Sequence, residues 1–135
     1  MRVRVVSSKN EIPNLNPNER IVHLAFRASN VDFLNLMKIC PRLRAIQVPP
    51  SYRKTMSKAI QLFLEMQGID LLEGDVWGHR KDIDEYFMVD DETIGEIESM
   101  ISEGVTIEEA TDLIMKKTRL APDLIKYIAK SKITV

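Results

Sequence analysis

Polar and β-branched residues alternate from Arg2 to Ser7, the period-two pattern of a strand with one buried face, so a first or edge strand is predicted there. Pro13 and Pro17 then stand among asparagines, which is loop chemistry. Ile21 to Phe26 is a short, nearly unbroken apolar run, as expected of an interior strand covered on both faces. Ser29 can cap a following helix, with Asp32 at its positive end, and Pro41 closes that helix after about Ile39. Leu43 to Val48 is predicted as the next strand. Pro49, Pro50 and Ser51 lead into a second helix from about Tyr52 to Gln67, whose apolar side chains fall on one face and whose natural C-terminal cap is Gly68. Ile69 to Leu72 is a further strand.

The three runs beginning at Val22, Ala45 and Ile69 stand 23 and 24 residues apart, and a helix follows each of the first two. That spacing is the βαβ unit, with parallel strands and right-handed crossovers. The fold class expected is α/β: a small mostly parallel sheet built from βαβ units, followed by a helical C-terminal segment. Two arrangements fit, a small doubly wound sheet or leucine-rich-repeat-like turns; the open sheet is preferred because three units is the minimum for a solenoid. Gly74 to Tyr86 reads as a charged loop or short helix. Beyond it, Asp90 or Asp91 can cap a helix ending at Gly104, Thr106 to Glu109 has capping-box spacing, and Pro122 suits the first turn of a last helix. The expected division is an α/β domain over 1–89 and a three-helix segment over 90–135, packed on that domain or mediating self-association.

Composition changes this picture mainly through charge. Residues 1–72 carry 11 Lys+Arg against 5 Asp+Glu, residues 73–115 carry 2 against 14, and residues 116–135 carry 6 against 1. Blocks of opposite sign face each other or face different partners. No apolar run approaches the roughly 18 residues that span a bilayer, and Met1 leads into no apolar leader, so a cytoplasmic protein without a membrane partner is expected. The single cysteine, Cys40, makes no internal disulfide and cannot by itself supply a thiolate metal set. It reads as a small core residue. No cofactor and no bound metal are expected.

Several stretches taken together, Leu15-Asn-Pro-Asn-Glu-Arg-Ile-Val-His-Leu-Ala-Phe-Arg, Cys40-Pro, Ala45-Ile-Gln-Val-Pro and Phe63-Leu-Glu-Met-Gln-Gly-Ile-Asp-Leu-Leu-Glu-Gly-Asp-Val-Trp-Gly-His-Arg-Lys-Asp-Ile, resemble a family of uncharacterised proteins found chiefly in methanogenic archaea. The resemblance covers most of the chain. It implies an archaeal cytoplasmic protein and supplies no catalytic residue.

Candidate sites come from the residues. In an open parallel sheet, the loops beyond the carboxyl ends of the strands share one rim, where ligands sit. That rim would hold Arg27, Ser29, Ser51, Arg53, Lys54, Trp77, His79 and Arg80 as an anion site. Arg53 and Lys54 in a first helical turn would oppose the helix dipole at about 0.3–1 kcal/mol each, a cost that a bound anion would offset. His79 beside Asp75, Asp82 and Asp84 has the residue types of a metal site, but their spacing matches no metal loop. His23, inside an apolar strand, reads as a hydrogen-bonded core histidine. The last two helices invite a helix-turn-helix reading, with Lys116, Lys117, Arg119, Lys126 and Lys130 facing nucleic acid. Glu109 and Ile114 stand where that motif usually has an apolar residue and a turn glycine.

No paired catalytic groups are present, so the sequence favours a non-catalytic regulatory or interaction protein associated with nucleic acid. The competing class is a small-molecule binding protein or small enzyme that recognises an anionic metabolite or nucleotide at the strand-end loops, with His79 as its general base.

Overall fold

The computed structural model describes residues 1–76 and 85–133. They form a five-stranded sheet in the order β4-β3-β2-β1-β5. The strands β1 (Arg2–Val6), β2 (Ile21–Leu24), β3 (Ala45–Val48) and β4 (Asp70–Glu73) are parallel, and β5 (Tyr86–Met88) lies antiparallel against β1. The α/β class and the parallel pairing follow the repeat in the sequence. The structure makes β1 an interior strand, because β5 covers its outer side. No sequence signal marked β5, whose three residues are too few to show an alternation. The polar loop after β1 contains a short 3-10 helix, Lys9–Asn14, that buries Ile12.

The helices α1 (Asn30–Ile39), α2 (Pro50–Arg53) and α3 (Lys58–Met66) belong to the crossovers, and α4 (Asp91–Ser102), α5 (Ile107–Lys117) and α6 (Pro122–Ile133) follow the sheet. Side chains alternate across the strands. Val22, Leu24, Ile46 and Val48 pack against Phe33 and Leu36 of α1 and Ile60 and Leu64 of α3. On the opposite face, Val3, Ile21, Ala45 and Leu72 pack against Ile97, Ile114, Leu124, Ile125 and Ile128 of the last three helices. All three crossovers therefore lie on one face, Ile12 and Leu15 of the β1–β2 connection joining the same cluster, as the one-way strand order β1-β2-β3-β4 requires for right-handed connections. This is not the doubly wound alternative. No reversal of strand order occurs among the parallel strands, so the crevice that such a reversal creates is missing there. The C-terminal helices cover the face that a doubly wound sheet would cover with its own crossovers.

The single long helix expected from Tyr52 to Gln67 is instead two, α2 and α3, separated by Lys54 to Ser57. Hydroxyl groups that compete with the helical backbone explain the break. Thr55 Oγ1 donates to the Tyr52 carbonyl at 3.1 Å, and Ser57 Oγ accepts from the Ile60 amide at 3.1 Å, capping a fresh helix. Capping elsewhere follows the sequence: Ser29 accepts from the Asp32 amide, Asp90 from that of Thr93, and Thr106 from that of Glu109. Gly68 and Gly104 end their helices with φ of +73° and +90°, a left-handed conformation that glycine adopts without strain.

Candidate functional site

The four parallel strands do bring the loops after β2 and β3 to one rim. The Arg27 guanidinium lies 5.0 Å from the centre of the Tyr52 ring, and its Nη1 donates to Thr55 Oγ1. Ser57 Oγ also donates to Asn30 Oδ1 at 3.1 Å, joining the starts of α1 and α3. The remaining rim candidates are dispersed. Ser29 is occupied in a reciprocal cap with Asp32, and Ser51 lies inside α2. Arg53 and Lys54 stand at the end of the one-turn helix α2 and not in the first turn of a long one. The dipole cost expected of them therefore does not arise, since cations suit a helix C-terminus. Arg53 faces a cleft of about 550 Å³ beside α3, shared with Lys58, Gln61 and Glu65, and its Nε is buried without a hydrogen-bond partner. Trp77, His79 and Arg80, with the metal candidates Asp82 and Asp84, lie outside the described residues.

A second cleft, of about 1010 Å³, separates the strand ends from the α5–α6 turn. Ser51, Glu73, Asp75, Arg119 and Asp123 line it, so carboxylates dominate its charge. Behind it, β2 and β3 point a polar pair at the helical layer. His23 is 0% exposed and Gln47 is 1% exposed; Gln47 Nε2 lies 2.9 Å from His23 Nδ1, and His23 Nε2 lies 3.5 Å from Asp75 Oδ1. With the amide nitrogen donating to Nδ1, the ring proton sits on Nε2, toward Asp75. This is the hydrogen-bonded core histidine that the sequence indicated. Full burial keeps its imidazole from any solvent-borne substrate. Among the described residues, no group of three His, Cys, Asp or Glu side chains could hold a metal ion.

The helical layer is clamped to the strand ends. Gly74 packs so closely on Ala121 that a Cβ built on the glycine would stand 2.2 Å from the alanine Cβ. The Asp123 carboxylate accepts the Glu73 amide at 2.8 Å. From there α6 runs back along the sheet toward the starts of the strands: Tyr127, one turn after Asp123, is half-buried near Asp70, Arg44 and Arg20. Burial pushes the Tyr127 phenol pKa up and Asp70 adds to this, while Arg44 and Arg20 pull it down.

α5 and α6 are joined by four residues, Thr118 to Ala121, and α4 packs on both. Residues 92–130 match the C-terminal helix-turn-helix domain of a family described as of unknown function, DUF1699, and residues 2–85 match that family's N-terminal domain. The chain belongs to the DUF1699 family. No curated protein and no solved structure matches it.

The geometry divides the five cations of the DUF1699 helix-turn-helix. Lys116, Lys117 and Arg119 lie at the α5–α6 end of the unit, by the strand-end cleft, and Lys117 pairs with Glu96 at 3.3 Å. Lys126 and the exposed Lys130 lie four residues apart on α6, either side of Tyr127 in the chain and in the half of the helix that runs toward the strand starts. The strand starts themselves carry a basic cluster that the sequence pattern did not single out. Arg20, Arg42 and Arg44, all exposed, share a hollow of about 440 Å³ with Gln67 and Gly68. Arg20 and Arg44 stand immediately before β2 and β3, and the Arg44 amide donates to the Arg20 carbonyl at 2.7 Å. A basic residue preceding each of two equivalent strands, 24 positions apart, was the available signal.

Proposed function

We propose that this DUF1699 protein is a non-catalytic regulatory or interaction protein of the cytoplasm that associates with nucleic acid through its C-terminal unit. The observation that carries this reading is the match of residues 92–130 to a helix-turn-helix domain, on helices whose exposed cations include Lys116, Arg119 and Lys130. The expected binding mode is phosphate contact in preference to base readout. A helix-turn-helix reads bases with the N-terminal residues of its second helix, but the first turn of α6 carries Asp123, which is engaged by the Glu73 amide, and Ala121 is locked against Gly74. No helix among the described residues is long and apolar enough to cross a membrane.

The test is a gel shift of the intact protein on duplex DNA over a salt series. Binding should weaken by about 0.9 log unit per log unit of salt for each phosphate neutralised. K126E combined with K130E should abolish the shift. No shift by the wild-type protein at low salt would remove the reading.

A second reading, a small anionic ligand at the rim, is favoured by Arg53, which lines a cleft with Lys58 and Gln61 and whose buried Nε has no hydrogen-bond partner. A phosphate titration followed by NMR, compared with R53Q, separates it from the first.

A further inference from the structure

The inference drawn here deepens the nucleic-acid reading and rests on it. We propose that Arg20, Arg42 and Arg44 of the α/β unit combine with Lys126 and Lys130 of α6 into one face that grips the phosphate backbone of duplex DNA, so that the interface spans both units of the chain. Three guanidinium groups share one hollow, and among the described residues none of them is in an ion pair. Like charges held together in this way repel, and neighbouring carboxylates ordinarily relieve the repulsion. Carboxylates are abundant in this chain, 20 Asp+Glu against 19 Lys+Arg. Elsewhere they do serve this role, as Glu85 and Glu11 do for Arg4 and Glu96 does for Lys117. Asp70 borders the face on its β4 side, where it acts on Tyr127 together with Arg44 and Arg20.

Arginine suits the task, because its planar fork matches the oxygens of a phosphate and its charge persists at every physiological pH. The fold supplies the placement. Parallel pairing of β2 with β3 aligns Ile21 with Ala45, so the residues before them, Arg20 and Arg44, emerge side by side. The antiparallel run of α6 over the sheet, from Asp123 at the Glu73 amide to Tyr127 near Asp70, Arg44 and Arg20, then carries the half of the helix that bears Lys126 and Lys130 toward the same end. Arg20 and Lys130 are 110 positions apart in the chain, so only the folded chain shows the face.

The experiment is fluorescence anisotropy of a short labelled DNA duplex over a salt series. It compares the wild type, the triple variant R20Q/R42Q/R44Q, the double variant K126Q/K130Q, and a control, K9Q/K38Q, which alters cations beside Asp32 in a different hollow. All the substituted side chains of the triple variant are exposed, and thermal melts verify folding. The expected result is a shallower salt slope, smaller by about 2.7 for the triple variant and about 1.8 for the double, with at least a tenfold affinity loss in each and none in the control. Wild-type binding left unchanged in the triple variant would overturn the composite face while the nucleic-acid reading stood. Absence of wild-type binding at low salt would overturn both. Competition by inorganic phosphate at constant ionic strength, saturable and lost in the triple variant, would replace the backbone interface with a small-anion site and overturn the proposal.

Discussion

Cys40 is 1% exposed, and its Sγ lies 3.5 Å from the Asn16 carbonyl, to which the thiol donates. Burial pushes its pKa from 9.0 up to about 11, with the Glu19 carboxylate adding to the rise and Arg4 opposing it. The folded chain thus holds the neutral thiol, and the stabilisation that follows is complete below pH 9 and lost as pH rises through about 11. Native protein at pH 8 is expected to leave a disulfide reagent unreacted over a period in which the denatured chain reacts fully. Prompt modification of the native thiol would contradict this account. Tyr86 behaves in the same sense: the Glu19 carboxylate, accepting its hydroxyl proton at 2.6 Å, raises its pKa, and the side chain ties β5 to the loop before β2. At this scale the sequence was a good guide to residues whose partners are near in the chain, such as the caps at Ser29, Asp90 and Thr106. It identified His23 as a core residue by its apolar flanks. Its partner, Gln47, was recognisable only after β2 and β3 were paired in register.

Among the elements, the decisive joint is the contact of Gly74 after β4 with Ala121 before α6. G74A places a methyl group against another at 2.2 Å, so the strand end or the helical layer has to move. The expected cost is about 1–3 kcal/mol, the usual range for overpacking, seen as a lower midpoint in thermal or denaturant unfolding. G74A/A121G should recover most of that loss, because it restores one hydrogen at the contact. A double variant no more stable than G74A would place the strain elsewhere. The helices themselves were legible wherever period and capping agreed. The division between α2 and α3 was not, because the amphipathic pattern continues across Thr55 to Ser57 while the hydroxyls of those residues choose local bonds. That break also moved Arg53 and Lys54 from the start of a helix to the end of one, and with it went the dipole argument that had singled them out.

For the molecule as a whole, the two family-matched segments share a core. Val3, Ile21, Ala45 and Leu72 of the sheet are buried by α4, α5 and α6, so the parts are not expected to unfold independently. Calorimetry of the intact protein should show one transition, coincident with the loss of far-UV circular dichroism. Two separated transitions would show that the layers are energetically independent. The sequence by itself determined the strand and helix succession apart from β5 and the break between α2 and α3, together with the parallel βαβ class, most helix ends and the separation of charge, because each depends on residues within a turn or a repeat of one another. It also marked residues 116–135 as basic, against the acidic stretch before them. Only the tertiary structure decided the one-way strand order, the packing of α6 across the second face of the sheet, and the grouping of Arg20, Arg42 and Arg44 at the strand starts, near Tyr127 of α6. The physical reason is that period and capping record what each element buries and where it ends. Which element covers which face depends on packing between residues distant in the chain, and no local pattern records it.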